Sequence, residues 1–133
     1  MKELQIEAAV ENLDAVMDFV SAELEAADCG IKAQTQITIA VEEVFVNIAH
    51  YAYPARVGQV QIQIEVKDVA LIRFVDTGVP YNPLEKPDPD ITQPVEEREI
   101  GGLGILMVKK IMDNVEYQYR DGQNILTLTK KTH

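Results

Sequence analysis

Glu43 and Asn47 stand one helical turn apart in AVEEVFVN, Asp76 and Gly78 follow each other closely in FVDTGVP, and Gly101, Gly102 and Gly104 crowd together in EREIGGLGILMVKK. Each set offers its own chemistry. The neutral carbonyl oxygen of an asparagine suits a magnesium ion that keeps most of its waters and also contacts phosphates. A glutamate one turn earlier can take a proton from a hydroxyl or water that attacks a nearby phosphorus. An aspartate just past a strand can accept a hydrogen bond from an exocyclic amine such as adenine N6, and a loop turn with a solvated carboxylate is the competing reading. Amides in the first turn of a helix have no intrahelical acceptor and carry the positive end of the helix dipole, so glycines there let an anion approach bare backbone. The alternative for the same glycines is a hinge at Gly101 and Gly102 and close helix packing at Gly104.

Two established phosphate motifs do not account for GGLGI. A P-loop needs G-x-x-x-x-G-K-[ST], which is missing, and the dinucleotide fingerprint G-x-G-x-x-G would need a glycine where Met107 stands. On the helix that carries Glu43, a rotation of about 100° per residue puts Glu43, Asn47 and His50 within roughly 60° of one another, while Ile37, Val41, Val44 and Ile48 centre about 130° away. That polar trio reads either as a solvated face or, because Ala40 and Val46 flank it, as the wall of a cleft. His50 suits a supporting place beside the site better than a catalytic one.

The elements that must position these residues follow from periodicity. ELQIEA (3–8) alternates as a short strand, and Asn12 can cap a helix with Leu13, Val16, Met17, Val20 and Leu24 on its apolar stripe. Asp28-Cys29-Gly30 ends that helix, and Cys29, the lone cysteine, reads as a helix-end packing residue that rules out an internal disulfide. A second helix spans about 32–50 and stops before Tyr53-Pro54. QVQIQIEV (59–66) and VALIRFV (69–75) form an antiparallel hairpin. Five of the six prolines then fall at positions 80–94, a stretch that excludes a regular helix or inner strand and suits a lid or binding loop. A third helix over 103–113 and a closing hairpin of 115–119 with 124–129 complete a β-α-α-β-β-loop-α-β-β order. This predicts a two-layer α/β sandwich, a mixed and mostly antiparallel sheet with helices on one face.

Composition bounds the function. With 133 residues and 47% hydrophobic content, one compact domain over 1–133 is expected. A formal net charge of -10, from 12 basic against 22 acidic residues, argues against a nucleic-acid-binding surface, so any phosphate must be held by local features. No apolar run reaches membrane-spanning length and the start has no targeting character, which predicts a cytoplasmic protein without membrane contact.

AVEEVFVN, VDTGVP and GGLGI, in this order, resemble the N box, G1 box and G2 box of the histidine-kinase-like ATPases with the Bergerat fold. Within them the chain looks most like the small anti-sigma-factor serine/threonine kinases of the RsbW type, a likeness that PYNPLEKPDPD, KKIMDNV and DGQNILTLTKK extend to about Lys131. The resemblance implies ATP and magnesium as ligands and phosphate transfer to a serine or threonine of a STAS-domain anti-anti-sigma partner. It also implies sequestration of a sigma factor, and it is compatible with a homodimer. Asn47 would hold magnesium, Glu43 would be the general base and Asp76 would bind the adenine amine. Gly78 would shape the adenine pocket, and Gly101, Gly102, Leu103, Gly104 and Ile105 would cradle the phosphates. Residues 79–100 would be the ATP lid, with Arg98 as a phosphate contact, and Thr127 on the last strand would join the adenine site. One departure is Pro80, which stands where many relatives have the second glycine of D-x-G-x-G and stiffens the first hinge of the lid. No phosphoacceptor histidine domain accompanies these boxes, so a sensor histidine kinase is not expected. A non-catalytic, ATP-dependent interaction switch is the alternative function, and a stand-alone ATP hydrolase a lesser one.

Overall fold

The computed structural model describes residues 1–54, 57–85 and 102–133. Its strands are β1 (Lys2–Glu7), β2 (Gln59–Val66), β3 (Val69–Asp76), β4 (Asn114–Arg120) and β5 (Gln123–Lys131), and its α-helices are α1 (Leu13–Ala26), α2 (Ile31–Tyr51) and α3 (Gly102–Ile111). Single 3-10 turns lie at Val10–Asn12 and Pro83–Glu85. The strands form one sheet in the order β1-β2-β3-β5-β4, and all four pairings are antiparallel. No parallel pair appears among the described residues, so the sheet is simpler than the mixed one expected. The two-layer α/β architecture is the one the periodicity predicts.

Alternation decides which face is covered. Val60, Ile62 and Ile64 of β2, Ala70, Ile72 and Phe74 of β3, and Leu126 and Leu128 of β5 are buried on one side of the sheet. Val16, Val20 and Leu24 of α1 and Ile37, Val41, Val44, Phe45 and Ile48 of α2 close the same core. The opposite face carries Gln61, Gln63, Arg73 and Thr127, tied together by side-chain hydrogen bonds such as Arg73 Nη1 to Gln63 Oε1 at 3.3 Å. Side chains that bond laterally to one another leave that face polar, and among the described residues no helix covers it.

Two local readings change. Asn12 does not cap α1, since its amide nitrogen instead donates back to the Glu7 carbonyl at 3.0 Å and ties the 3-10 turn to the end of β1. The expected lid stretch opens with ordered structure: Asn82 Oδ1 accepts from Leu84 N at 2.9 Å and caps the turn at Pro83–Glu85. Cys29 is buried at the start of the α1–α2 connection, with its thiol near the Thr132 carbonyl at 3.8 Å, as a packing residue should be.

Candidate functional site

The register of β3 against β5 builds the floor of the site. Asp76 is the last residue of β3 and pairs with Asn124 near the start of β5, so two polar side chains face the helices at the sheet's end while Phe74 and Leu126 continue the apolar floor below them. Val44, Asn47 and Ile48 from α2, Ala52 just past its end and Ile105 from α3 form the walls, and Tyr81, Pro83 and Tyr117 complete the lining. The enclosed space is about 30 Å³, room for a water molecule and not for a purine. Tyr81 stacks on Tyr51 with ring centroids 5.5 Å apart, so that wall leans on the last turn of α2.

Asp76 is 5% exposed, and its two oxygens differ. Oδ1 accepts from Gly78 N at 2.8 Å and from Asn124 Nδ2 at 2.9 Å. Oδ2 accepts no hydrogen bond among the described residues, which leaves one acceptor in the cavity wall for an incoming amine. Burial pushes the Asp76 carboxyl above the ordinary carboxylate range, opposed by the hydrogen bonds from Asn124 and Gly78.

Gly78 is required by packing. A methyl placed on it would run into the carbonyl oxygen of Ala52 and stand 2.7 Å from the Ala52 carbonyl carbon, and the same oxygen accepts from Val79 N at 2.9 Å. The chain after β3 is therefore pressed onto the end of α2. Tyr53 reinforces the junction, its hydroxyl donating to Gln59 O at 2.6 Å and accepting from Thr77 N at 3.0 Å.

Asn124 is the residue that sequence reasoning missed as a site residue. Its Nδ2 donates to Asp76 Oδ1 and to Val79 O at 2.9 Å, and its Oδ1 accepts from Tyr81 N at 3.2 Å and from the Tyr117 hydroxyl. It thus joins the Asp76 carboxylate to the root of the 79–85 segment. The available signal was register: in a tight hairpin around Asp121-Gly122, pairing β5 with β3 sets position 124 opposite position 76. The same register places Thr127 opposite Arg73, on the other face of the sheet, where its hydroxyl accepts from Arg73 Nε at 3.5 Å. Thr127 lies outside the cavity wall because strand neighbours alternate between faces, and Asn124 occupies the place proposed for it.

On α2, Asn47 is 7% exposed and its carboxamide makes no hydrogen bond among the described residues. A buried amide with open valences beside a cavity is a ligand position in waiting. Glu43, one turn earlier, is half-buried, and its carboxylate lies against Gly104 in the first turns of α3. Desolvation, with the neighbouring Glu42 charge adding to it, raises the Glu43 carboxyl above the usual range. His50 is exposed at the end of α2, tilted against the Tyr51 ring, and off the cavity wall.

Ile105 is 5% exposed and lines the cavity, so α3 points its beginning toward the same space. Gly102 and Leu103 open that helix, while Gly101 and Arg98 lie outside the described residues. The structure thus gathers Asn47, Asp76 and Ile105 around one cavity, sets Gly78 behind Asp76 against Ala52, brings Glu43 and Gly104 together between α2 and α3, and leaves His50 and Thr127 off the cavity wall. Among the described residues no three His, Cys, Asp or Glu side chains cluster as a metal site. The residues do fit a purine nucleotide with its cation: the free oxygen of Asp76 suits an amine, the open carboxamide of Asn47 a hydrated cation, and the N-terminal turn of α3 an anion.

The chain is 26% identical over 95 residues to the serine/threonine-protein kinase BtrW of Bordetella bronchiseptica, covering 70% of this chain and 67% of BtrW. It is 32% identical over 93 residues to the serine-protein kinase RsbW of Bacillus thuringiensis, covering 66% of this chain and 58% of RsbW, so the match spans less than two thirds of that relative. Among solved structures, that of the RsbU and RsbW domains of Rv1364c from Mycobacterium tuberculosis superimposes with a TM-score of 0.68 at 14% identity, over 98% of this chain and 32% of that one. The Acinetobacter baumannii histidine kinase AdeS follows at a TM-score of 0.53 and 12% identity, over 100% of this chain and 70% of that one. These two likenesses speak for the fold alone. Residues 6–130 match the histidine kinase-like ATPase domain, and the chain belongs to that family, with relatives named as serine-protein kinases.

Proposed function

We propose that this protein is an ATP-dependent serine/threonine kinase that phosphorylates a STAS-domain anti-anti-sigma partner and, in its other state, sequesters a sigma factor. The observation that supports this reading best is the convergence on one cavity of two buried polar groups with open valences, Asp76 Oδ2 and the Asn47 carboxamide, beside a half-buried Glu43 at the start of α3. Bound ATP and magnesium supply the transferable phosphoryl group and neutralise its charge. Asp76 accepts from the adenine amine, with Asn124 and Gly78 holding its rotamer, and the Asn47 carbonyl oxygen holds the cation. The first-turn amides of α3, at Gly102 to Ile105, receive phosphate oxygens. Glu43 takes the proton from the partner's hydroxyl, and a carboxyl whose pKa is raised by burial is better matched to that task than a solvated one.

The chain serves as one ATP-binding domain with a lid over about 79–100, to which Arg98 contributes a cation. We place the protein in the cytoplasm, where such partners reside, and a homodimer is the assembly that the resemblance favours. The RsbW and BtrW names support the kinase reading over the non-catalytic switch.

Incubation with labelled ATP, magnesium and candidate STAS-domain partners tests it. Partner labelling that vanishes in Glu43→Ala while ATP still binds supports the kinase. Tight ATP binding without labelling of any partner points to the interaction switch, and unchanged magnesium-dependent affinity in Asn47→Ala removes the site from α2.

A further inference from the structure

Gly104 stands in the third position of α3, where glycine is a poor helix former and a backbone of helical φ asks for no special residue. Only Gly122 among the described glycines adopts a positive φ, so conformational need does not explain a glycine at 104. Close packing of α2 backbone against α3 does not explain it either. The nearest atoms to a methyl built at Gly104 belong to the Glu43 side chain: it would overlap the carboxylate oxygen Oε2 and stand 2.9 Å from Cδ and 3.5 Å from Cγ. The contrast with Gly78 is instructive, because there the obstacle is the Ala52 backbone, which cannot yield.

The Glu43 carboxylate makes no hydrogen bond or ion pair among the described residues. What fixes its place is the recess left by the missing side chain. We propose that Gly104 is a positioning residue for Glu43: its bare Cα is the seat that holds the carboxylate at the mouth of α3. This rests on the reading of Glu43 as the base, and it gives GGLGI a role beyond a hinge or a phosphate cradle. Because the obstacle is the tip of a flexible side chain, Gly104→Ala folds and expels the carboxylate toward solvent. The charged group credited with acting on Glu43 is its neighbour Glu42 on α2, which moves with it.

The experiment compares the full chain, Gly104→Ala, and Gly104→Ala with Glu43→Asp, following the Glu43 carboxyl by carbon-detected NMR titration, assigned with Glu43→Gln. In Gly104→Ala the Glu43 titration midpoint falls toward that of a solvated glutamate. The kcat for partner phosphorylation drops by about tenfold or more, a larger factor than any loss of affinity for a non-hydrolysable ATP analogue. The shorter aspartate clears the methyl, so Glu43→Asp raises kcat in the Gly104→Ala background although it lowers kcat in the natural chain. An unmoved Glu43 midpoint in Gly104→Ala overturns the proposal. So does a loss of analogue affinity in Gly104→Ala that persists undiminished when Glu43 is also replaced by Ala, since Gly104 would then serve the phosphates alone. Should Glu43→Gln retain full phosphorylation, the base assignment fails, and the titration of Glu43 still decides the seat.

Discussion

At the scale of single residues, Asp76 carries the sharpest consequence. Asp76→Asn keeps an oxygen for Gly78 N and Asn124 Nδ2 but turns a donor toward the cavity where Oδ2 now accepts. Facing an amine with an amine costs about 1–3 kcal/mol, so ATP affinity should fall roughly tenfold to a hundredfold with the fold intact, as calorimetry of the variant would show. The same residue sets a pH dependence. Its folded pKa is raised, so the protonated carboxyl is favoured in the native state. Relative to Asp76→Asn, the natural chain has its full share of stability below the unfolded pKa of about 4 and loses it as pH rises through the higher folded value. Urea unfolding of both proteins from about pH 3 to 7 should show that widening difference; parallel curves would remove the cause assigned here. Asn124→Asp puts a second carboxylate against Asp76 and Val79 O, and should raise hydrogen-exchange rates at the Val79 and Tyr81 amides.

At the scale of elements, the junction between the end of α2 and the end of β3 governs whether the cavity forms. Gly78→Ala drives a methyl into the Ala52 backbone and strains the Val79 to Ala52 hydrogen bond of 2.9 Å. The backbone has to separate, at a cost of about 1–3 kcal/mol by analogy with overpacking, measurable as a lower denaturation midpoint together with weaker ATP binding. A stability loss with unchanged binding would place the junction outside the site. Pro80 sits on this pinned root and is exposed, between Val79, held by Ala52 and Asn124, and Tyr81, held by Asn124 and stacked on Tyr51. A glycine there would have little to swing. The stiffness that Pro80 adds falls on chain already tied down, and on the proposed reading Tyr81 to Pro83 shift when a purine enters the cavity they line. With no tryptophan in the sequence, tyrosine emission reports on that motion: ATP should change it in the natural chain and much less in Tyr81→Leu.

At the scale of the whole molecule, charge and site pull in opposite directions. A chain of net charge -10 repels a polyanionic nucleotide at long range, and on the proposed reading the α3 amides and a cation held by Asn47 draw it in at short range. Screening weakens the repulsion beyond a Debye length of about 8 Å at physiological ionic strength, while the short-range contacts are less affected. The association rate of ATP should therefore rise as salt increases from about 0.01 M to 0.15 M, the reverse of a basic nucleotide-binding surface. Stopped-flow mixing with a fluorescent ATP analogue measures it, and a falling rate would mean that a local cationic field dominates the approach.

The strands, the helices and their order were legible because each follows a simple repeat: strict alternation in QVQIQIEV, the helical period of Ile37, Val41, Val44 and Ile48, and glycine or proline at the breaks. The placement of Glu43 and Asn47 on one helix was legible too, since residues four apart share a helix face whatever the rest of the chain does. Tertiary structure decided which strand neighbours meet. Helical spacing is local, but register between β3 and β5 is a long-range choice in which a slip of one residue would turn every side chain to the other face, and it brought Asn124 to Asp76 while leaving Thr127 opposite Arg73 on the other side. It also decided what borders a missing side chain, because the space at Gly104 is bounded by Glu43 on another helix and has no trace in the residues beside it.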